Sequence, residues 1–178
     1  MAAGNREALR ILLLEDTPAD AQLMEQQLRR AGLTFVCRVA DSRESLAAAL
    51  GEFAPDLVLA DYRLPGMTAL DAIELLRHAA PSVPLIVVTG SLSEEIAADC
   101  IKAGATDYVL KENLVRLPSA VIRAMELKQA REDAAQVHDE LREREQRYRA
   151  LVEHSYDAVA LLDPRGVVQY ASHSTERV

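Results

Sequence analysis

Five residues able to do chemistry together leave the ends of short apolar runs: Glu15 and Asp16, then Asp61, then Thr89, then Lys111. Three carboxylates converging on one crevice repel one another and raise each other's pKa unless a cation joins them. An all-oxygen set completed by water suits Mg2+. Phosphoryl transfer to a carboxylate needs a nucleophilic Asp, a metal to neutralise the transferring oxygens, a second cation beyond it and a hydroxyl donor. Asp61, Asp16, Lys111 and Thr89 supply these in turn. Each alone carries little, because Asp is common at strand-ending turns and a rim lysine is usually solvated. Their shared position, each at a strand exit, makes the case.

Those exits belong to a repeating pattern. Strand-like runs at Arg10–Leu14, Thr34–Val39, Asp56–Ala60, Pro84–Thr89 and Asp107–Leu110 alternate with helical stretches, as in a parallel sheet covered by helices on both faces. Ligands gather beyond the carboxyl ends of such strands. The first helix has Thr17 as N-cap and Pro18 at N1, carries Ala21, Met24, Leu28 and Ala31 on one face, and stops at Gly32. The second runs from about Ser42 to Glu52, with Asp41 and Glu44 at capping-pair spacing and Leu46, Ala49, Leu50 and Phe53 on or just past its apolar side. The third follows Thr68, with Leu70, Ile73 and Leu76 or Arg77 at successive turns. The fourth opens on Ser91 and Glu94, buries Ile96, Ala97, Cys100 and Ile101, and closes at Gly104.

A fifth helix starts near Leu117 and continues, dense in Glu and Arg, with no Gly or Pro between Ser119 and Leu162. Counted in heptads from Leu127, the a positions are Leu127, Ala134, Leu141 and Tyr148, and the d positions Ala130, Val137, Arg144 and Leu151. A paired coiled coil and a solvated single helix both fit, since alanines and Arg144 weaken the seam. Beyond Ser155, Ala158–Leu162 and Val167–Ala171 flank the turn residues Asp163, Pro164, Arg165 and Gly166, the pattern of a β-hairpin. A lone hairpin is marginal in water, so the chain reads as holding only the start of a second domain.

The 178 residues, 49% hydrophobic, suffice for one well-buried core with an appendage. A net charge of -8 without a basic stripe argues against a non-specific nucleic-acid binder. The apolar runs fall far short of the roughly 20 residues that span a bilayer, and no signal-peptide core precedes them, which points to the cytoplasm. Cys37 and Cys100 lack metal-ligand spacing and read as buried free thiols.

Taken together, Ile-Leu-Leu-Leu-Glu-Asp at 11–16, Asp-Leu-Val-Leu-Ala-Asp-Tyr-Arg-Leu-Pro-Gly-Met at 56–67, Pro-Leu-Ile-Val-Val-Thr-Gly at 84–90 and Gly-Ala-Thr-Asp-Tyr-Val-Leu-Lys at 104–111 resemble a two-component response-regulator receiver domain. The resemblance implies a flavodoxin-like, doubly wound five-stranded parallel sheet of order 2-1-3-4-5. It implies a phosphohistidine donor on a histidine kinase or phosphotransfer protein, and Mg2+ held by Asp16, Asp61 and the backbone carbonyl of Arg63, with Glu15 acting through water. On the same resemblance Asp61 is the phosphoacceptor, Thr89 moves to bond the phosphoryl group, Lys111 pairs with it, and Tyr108 turns inward as Thr89 leaves its space. Glu112 stands where the family often has Pro, which opens the geometry of the following loop. The tail, with Glu145 to Glu153, Asp157 to Asp163, Gly166 and Tyr170 to Ser172, resembles the entry helix and first hairpin of a PAS sensor domain. That gives a receiver at 1–125, a helical linker at 126–150 and the start of a PAS domain at 151–178, in a parent ending in a histidine kinase or a cyclic-dinucleotide enzyme. A homodimer through the fourth helix, fifth strand and fifth helix, or through the linker, would follow.

Other classes fit less well. A phosphorylation-independent scaffold of this fold would lack the acceptor, an acid or the Lys, and none is missing. An aspartyl phosphatase of the haloacid-dehalogenase type needs a second Asp two residues after the nucleophile, where this chain has Arg63. A dinucleotide enzyme needs a Gly-rich first turn in place of Glu-Asp-Thr-Pro. No multiple-turnover activity is expected beyond self-phosphorylation and dephosphorylation.

Overall fold

The structure, a computed structural model, describes residues 8–90, 94–153 and 160–171. In chain order its elements are β1 (Leu9–Leu14), α1 (Pro18–Arg30), β2 (Phe35–Ala40), α2 (Arg43–Glu52), β3 (Leu57–Ala60), the short β4 (Arg63–Leu64) and β5 (Met67–Thr68), α3 (Ala69–Ala79), β6 (Leu85–Thr89), α4 (Glu94–Ala103) and β7 (Asp107–Leu110). A 3-10 segment at Lys111–Arg116, α5 (Leu117–Glu153), β8 (Ala160–Leu162) and β9 (Val168–Ala171) complete it. The chain divides into two compact units, Met1–Gln129 and Ala130–Val178.

In the first unit five strands pair in parallel in the order β2-β1-β3-β6-β7. This is the expected 2-1-3-4-5 sheet once the two-residue strands β4 and β5 are set aside. Successive side chains alternate between faces, so one sheet makes two cores. Leu12, Leu14, Val58, Ala60 and Val87 pack with α2, α3 and Cys100 of α4. Ile11, Leu13, Leu57, Leu59, Ile86 and Val88 pack against Met24 and Leu28 of α1 and Leu117 and Val121 of α5. Because both faces are covered, β1, β3 and β6 read as continuous apolar runs, while edge strand β2 leaves Val36 and Val39 exposed.

The helix ends differ in detail from the expected signals. Thr17 is the N-cap of α1 but makes no side-chain cap bond, and Ala31, at its C-cap, is exposed. The capping box of α2 is Ser42 with Ser45, one residue later than the Asp41–Glu44 pair, and Ser45 Oγ accepts from both the Asp41 and Ser42 N–H groups. Thr68 caps α3, donating its N–H and hydroxyl to Asp71 Oδ2 at 2.7 and 2.8 Å. In α4 the buried stripe centres on Cys100, so Ile101, ~100° further round the helix, points to solvent, and Ile96 is half-buried. Ser91 lies outside the described residues. Cys37 is half-buried where a buried thiol was expected.

In the second unit β8 and β9 form the expected antiparallel hairpin, with Ala158 outside the described residues. Asp163 Oδ1 accepts from the Arg165 and Val167 N–H groups at 2.8 and 3.0 Å, and Gly166 takes φ +82° to close the turn. No helix is long and apolar enough to cross a membrane among the described residues.

Candidate functional site

Strand register decides which exits meet. β1 and β3 pair Leu14 with Ala60, so the next residues, Glu15 and Asp61, emerge side by side, and the Asp61 N–H donates to the Leu14 carbonyl at 2.8 Å. Across the sheet Thr89 pairs with Leu110, which delivers Lys111 as the first residue past β7. Parallel strands that end level therefore turn positions dispersed along the chain into one crevice.

Lys111 reaches back over it. Its Nζ donates to Glu15 Oε2 at 2.8 Å, to Asp20 Oδ2 at 2.6 Å and to Asp61 Oδ2 at 2.9 Å. Burial works against the ammonium charge, but hydrogen bonds to Asp20, Glu15 and Asp61 outweigh it and raise the pKa well above the ordinary lysine value. Glu15 is buried and uses both carboxylate oxygens, Oε1 accepting from the Thr17 N–H at 3.1 Å. Burial pushes its pKa up, aided by the Asp61 charge, against the Lys111 and Thr17 hydrogen bonds. The other oxygen of Asp61, Oδ1, accepts from the Tyr62 N–H at 2.6 Å. Asp16 is exposed at the rim, next to the Thr17 hydroxyl.

Glu15, Asp16 and Asp61 each place a carboxylate oxygen within 4.8 Å of the others. Such a hard, anionic oxygen set is the donor chemistry of Mg2+, so the residues fit that ion. Thr89 is buried at the end of β6. Tyr108 sits beside Val87 in the β6–β7 register, on the sheet face that Thr89 shares two residues on, and packs half-buried on the core with Val87. Arg63, side chain exposed, opens the β4–β5 ladder just beyond Tyr62, its turn made by Pro65 and Gly66 at φ +75°. The loop left open by Glu112 is the 3-10 segment, broken by a non-helical Asn113.

Asp20 was not anticipated. An acid in the first turn of a helix is the ordinary complement of the helix dipole. Nothing in the local sequence marked it out, since Asp16 precedes the extended N-cap Thr17 and the four-residue helical spacing does not relate the two.

Fold and crevice together define a doubly wound, flavodoxin-like α/β protein with a lysine bridging an acidic strand-exit cluster. Residues 11–123 match the response regulator receiver domain, and the chain belongs to that family, the phosphoacceptor modules of two-component signalling. It is 35% identical over 102 residues to the DNA-binding response regulator MtrA of Mycolicibacterium smegmatis, covering 57% of this chain and 43% of that protein. It is 30% identical over 101 residues to the DNA-binding transcriptional regulator NtrC of Salmonella typhimurium, covering 57% and 21%. The chain thus spans less than half the length of either. Among solved structures, a CheY-like response regulator receiver domain protein from Methanospirillum hungatei superposes with a TM-score of 0.60 at 28% identity, over 70% of this chain and 99% of that one. NtrX from Brucella abortus gives 0.66 at 26%, over 74% and 30%.

Proposed function

We propose that Asp61 is the acceptor and takes its phosphoryl group from a phosphohistidine on a cognate histidine kinase or phosphotransfer protein. An Asp61 carboxylate oxygen bonds to phosphorus as the phosphorus–nitrogen bond breaks. The imidazole keeps that electron pair and leaves neutral, its other nitrogen already carrying the proton. The contact that carries the reading is Lys111 Nζ, 2.9 Å from Asp61 Oδ2 inside the carboxylate cluster. Asp16, Asp61 and the Arg63 carbonyl would hold Mg2+, with Glu15 acting through water, and the ion would neutralise charge on the transferring oxygens. Thr89 bonds the phosphoryl group in the switched state, and Tyr108 fills the space it vacates.

The same reading assigns residues 1–125 to the receiver, 126–150 to a connector and 151–178 to the start of a PAS domain. The exposed hairpin with its Asp-Pro-Arg-Gly turn supports the last assignment. The signal passes along α5 to whatever output domain follows, in a cytoplasmic homodimer joined through α4, β7 and α5 or through the connector. The DNA binding stated in the names of MtrA and NtrC stays with those proteins, since acidic and basic residues after residue 125 of this chain are mixed and not gathered into a basic stripe.

Intact mass after incubation with acetyl phosphate, with and without Mg2+, tests the acceptor. A single Mg2+-dependent phosphoryl adduct is expected on the wild type and none on Asp61→Asn. No adduct on a wild type that binds Mg2+ would favour a phosphorylation-independent scaffold or a donor restricted to the partner's phosphohistidine, and no adduct with a phosphohistidine donor either would sink the assignment.

A further inference from the structure

An ammonium group has three N–H donors, and Lys111 spends each on a different carboxylate: Glu15, Asp20 and Asp61. Two of these acids have a second claim on them. Glu15 and Asp61 belong, with Asp16, to the oxygen triplet suited to a divalent cation, and Asp20 does not. Asp20 also differs in origin. Glu15 and Asp61 leave strands, whereas Asp20 stands in the first turn of α1, which Pro18 at N1 and the buried Ala21 and Met24 hold in place. Its contact with Lys111 is the shortest of the three, at 2.6 Å, and its side chain is 32% exposed.

We propose that Asp20 is a positioning residue for phosphoryl transfer to Asp61, holding the Lys111 ammonium over the crevice from the α1 side. The proposal rests on Asp61 being the acceptor. Lysine is a point charge on a flexible four-carbon stem, and without the lateral contact only Glu15 and Asp61 hold the ammonium, both of them acids of the metal-suited triplet. Phosphoryl oxygens arriving on Asp61 need a donor already in place, since misplacement by ~1 Å can cost as much as about 100-fold in rate. Asp20 supplies the anchor without drawing on the oxygens that the acceptor and the metal require. The competing role, an acid complementing the N-terminus of α1, would alter helix stability and leave the phosphoryl site untouched.

The experiment compares wild type, Asp20→Asn, Asp20→Ser and Asp20→Glu as full chains. It reads the rate of phosphorylation by acetyl phosphate at saturating Mg2+, beryllofluoride affinity, Mg2+ affinity by calorimetry and the 1H–15N signal of the Lys111 ammonium. Loss of the carboxylate is expected to slow phosphorylation and weaken beryllofluoride binding roughly ten-fold, the scale of one charge-assisted hydrogen bond. The Lys111 signal shifts or broadens, Mg2+ affinity stays within about two-fold, and Asp20→Glu recovers much of the loss. On a Lys111→Met background Asp20→Asn has no further effect. Wild-type values in both Asn and Ser variants would overturn the proposal, as would an equal loss of Mg2+ affinity or an additive effect on the Lys111→Met background. A wild type that takes no phosphoryl group overturns the acceptor assignment itself, and this proposal with it.

Discussion

Lys111 Nζ stands 2.8 Å from Oε2 of Glu15, an acid whose side chain has no solvent exposure. Lys111→Met would leave that carboxylate buried with only the Thr17 N–H for company, and breaking such a pair costs on the order of 3 kcal/mol at neutral pH. The pH dependence follows from burial, which already holds the Glu15 pKa above its ordinary value and holds it higher still without the lysine. A carboxyl whose folded pKa exceeds its unfolded one binds more protons when folded, so stability falls as pH rises through that window. Urea unfolding should find Lys111→Met nearer to wild type at pH 5 than at pH 8. An equal deficit at both would mean that Glu15 stays charged without help.

Mg2+ should stabilise the fold. Glu15, Asp16 and Asp61 crowd negative charge at one strand-exit cluster, and an ion that binds only the folded state at ten times its Kd adds about 1.4 kcal/mol. Melting with MgCl2 against NaCl of equal ionic strength should show an upward shift that EDTA reverses. Asp16→Asn, which removes the exposed carboxylate at the rim of that cluster, should abolish most of it. A shift that survives in Asp16→Asn would place the ion elsewhere.

The sheet was legible because strands buried on both faces become near-continuous apolar runs, and short right-handed connections leave few ways to order them. The crevice followed, since Glu15, Asp61, Thr89 and Lys111 each close or follow such a run. Phase and reach were not legible. Asp41–Glu44 and Ser42–Ser45 have the same capping spacing, and only where the helix starts chooses Ser42. Asp20 lies 91 residues from Lys111, and nothing local separates it from any other first-turn acid. The β4–β5 ladder, two residues a side, is too short to show periodicity.

Neither cysteine should react quickly in the folded protein. Burial, followed by the charge and hydrogen bond of Glu25, pushes the Cys37 thiol up to about 12 against the opposing pull of Arg29, and burial raises Cys100 as well. The thiolate is the reactive species. At pH 8 a group four units above ambient is ionised in roughly one molecule in 10,000. Ellman's reagent should therefore label both thiols in urea and neither promptly in buffer. Rapid native labelling that disappears in Cys37→Ser would show that the half-buried strand site opens.

On the connector, Leu127, Val137, Leu141 and Tyr148 are 49%, 65%, 57% and 63% exposed, and all fall at a or d of one heptad frame. A stripe of large apolar residues left uncovered on a charged helix is what a second copy would cover, at the cost of placing Arg144 in the seam. Sedimentation equilibrium should then give a dimer. Leu141→Lys, which sets a charge at an a position, should shift it towards monomer. Arg144→Leu, which removes one from d, should tighten it by about ten-fold, or roughly 1.4 kcal/mol. Should all three chains sediment as monomers, the helix stands alone in solution, and its Glu and Arg residues serve to keep a single helix solvated.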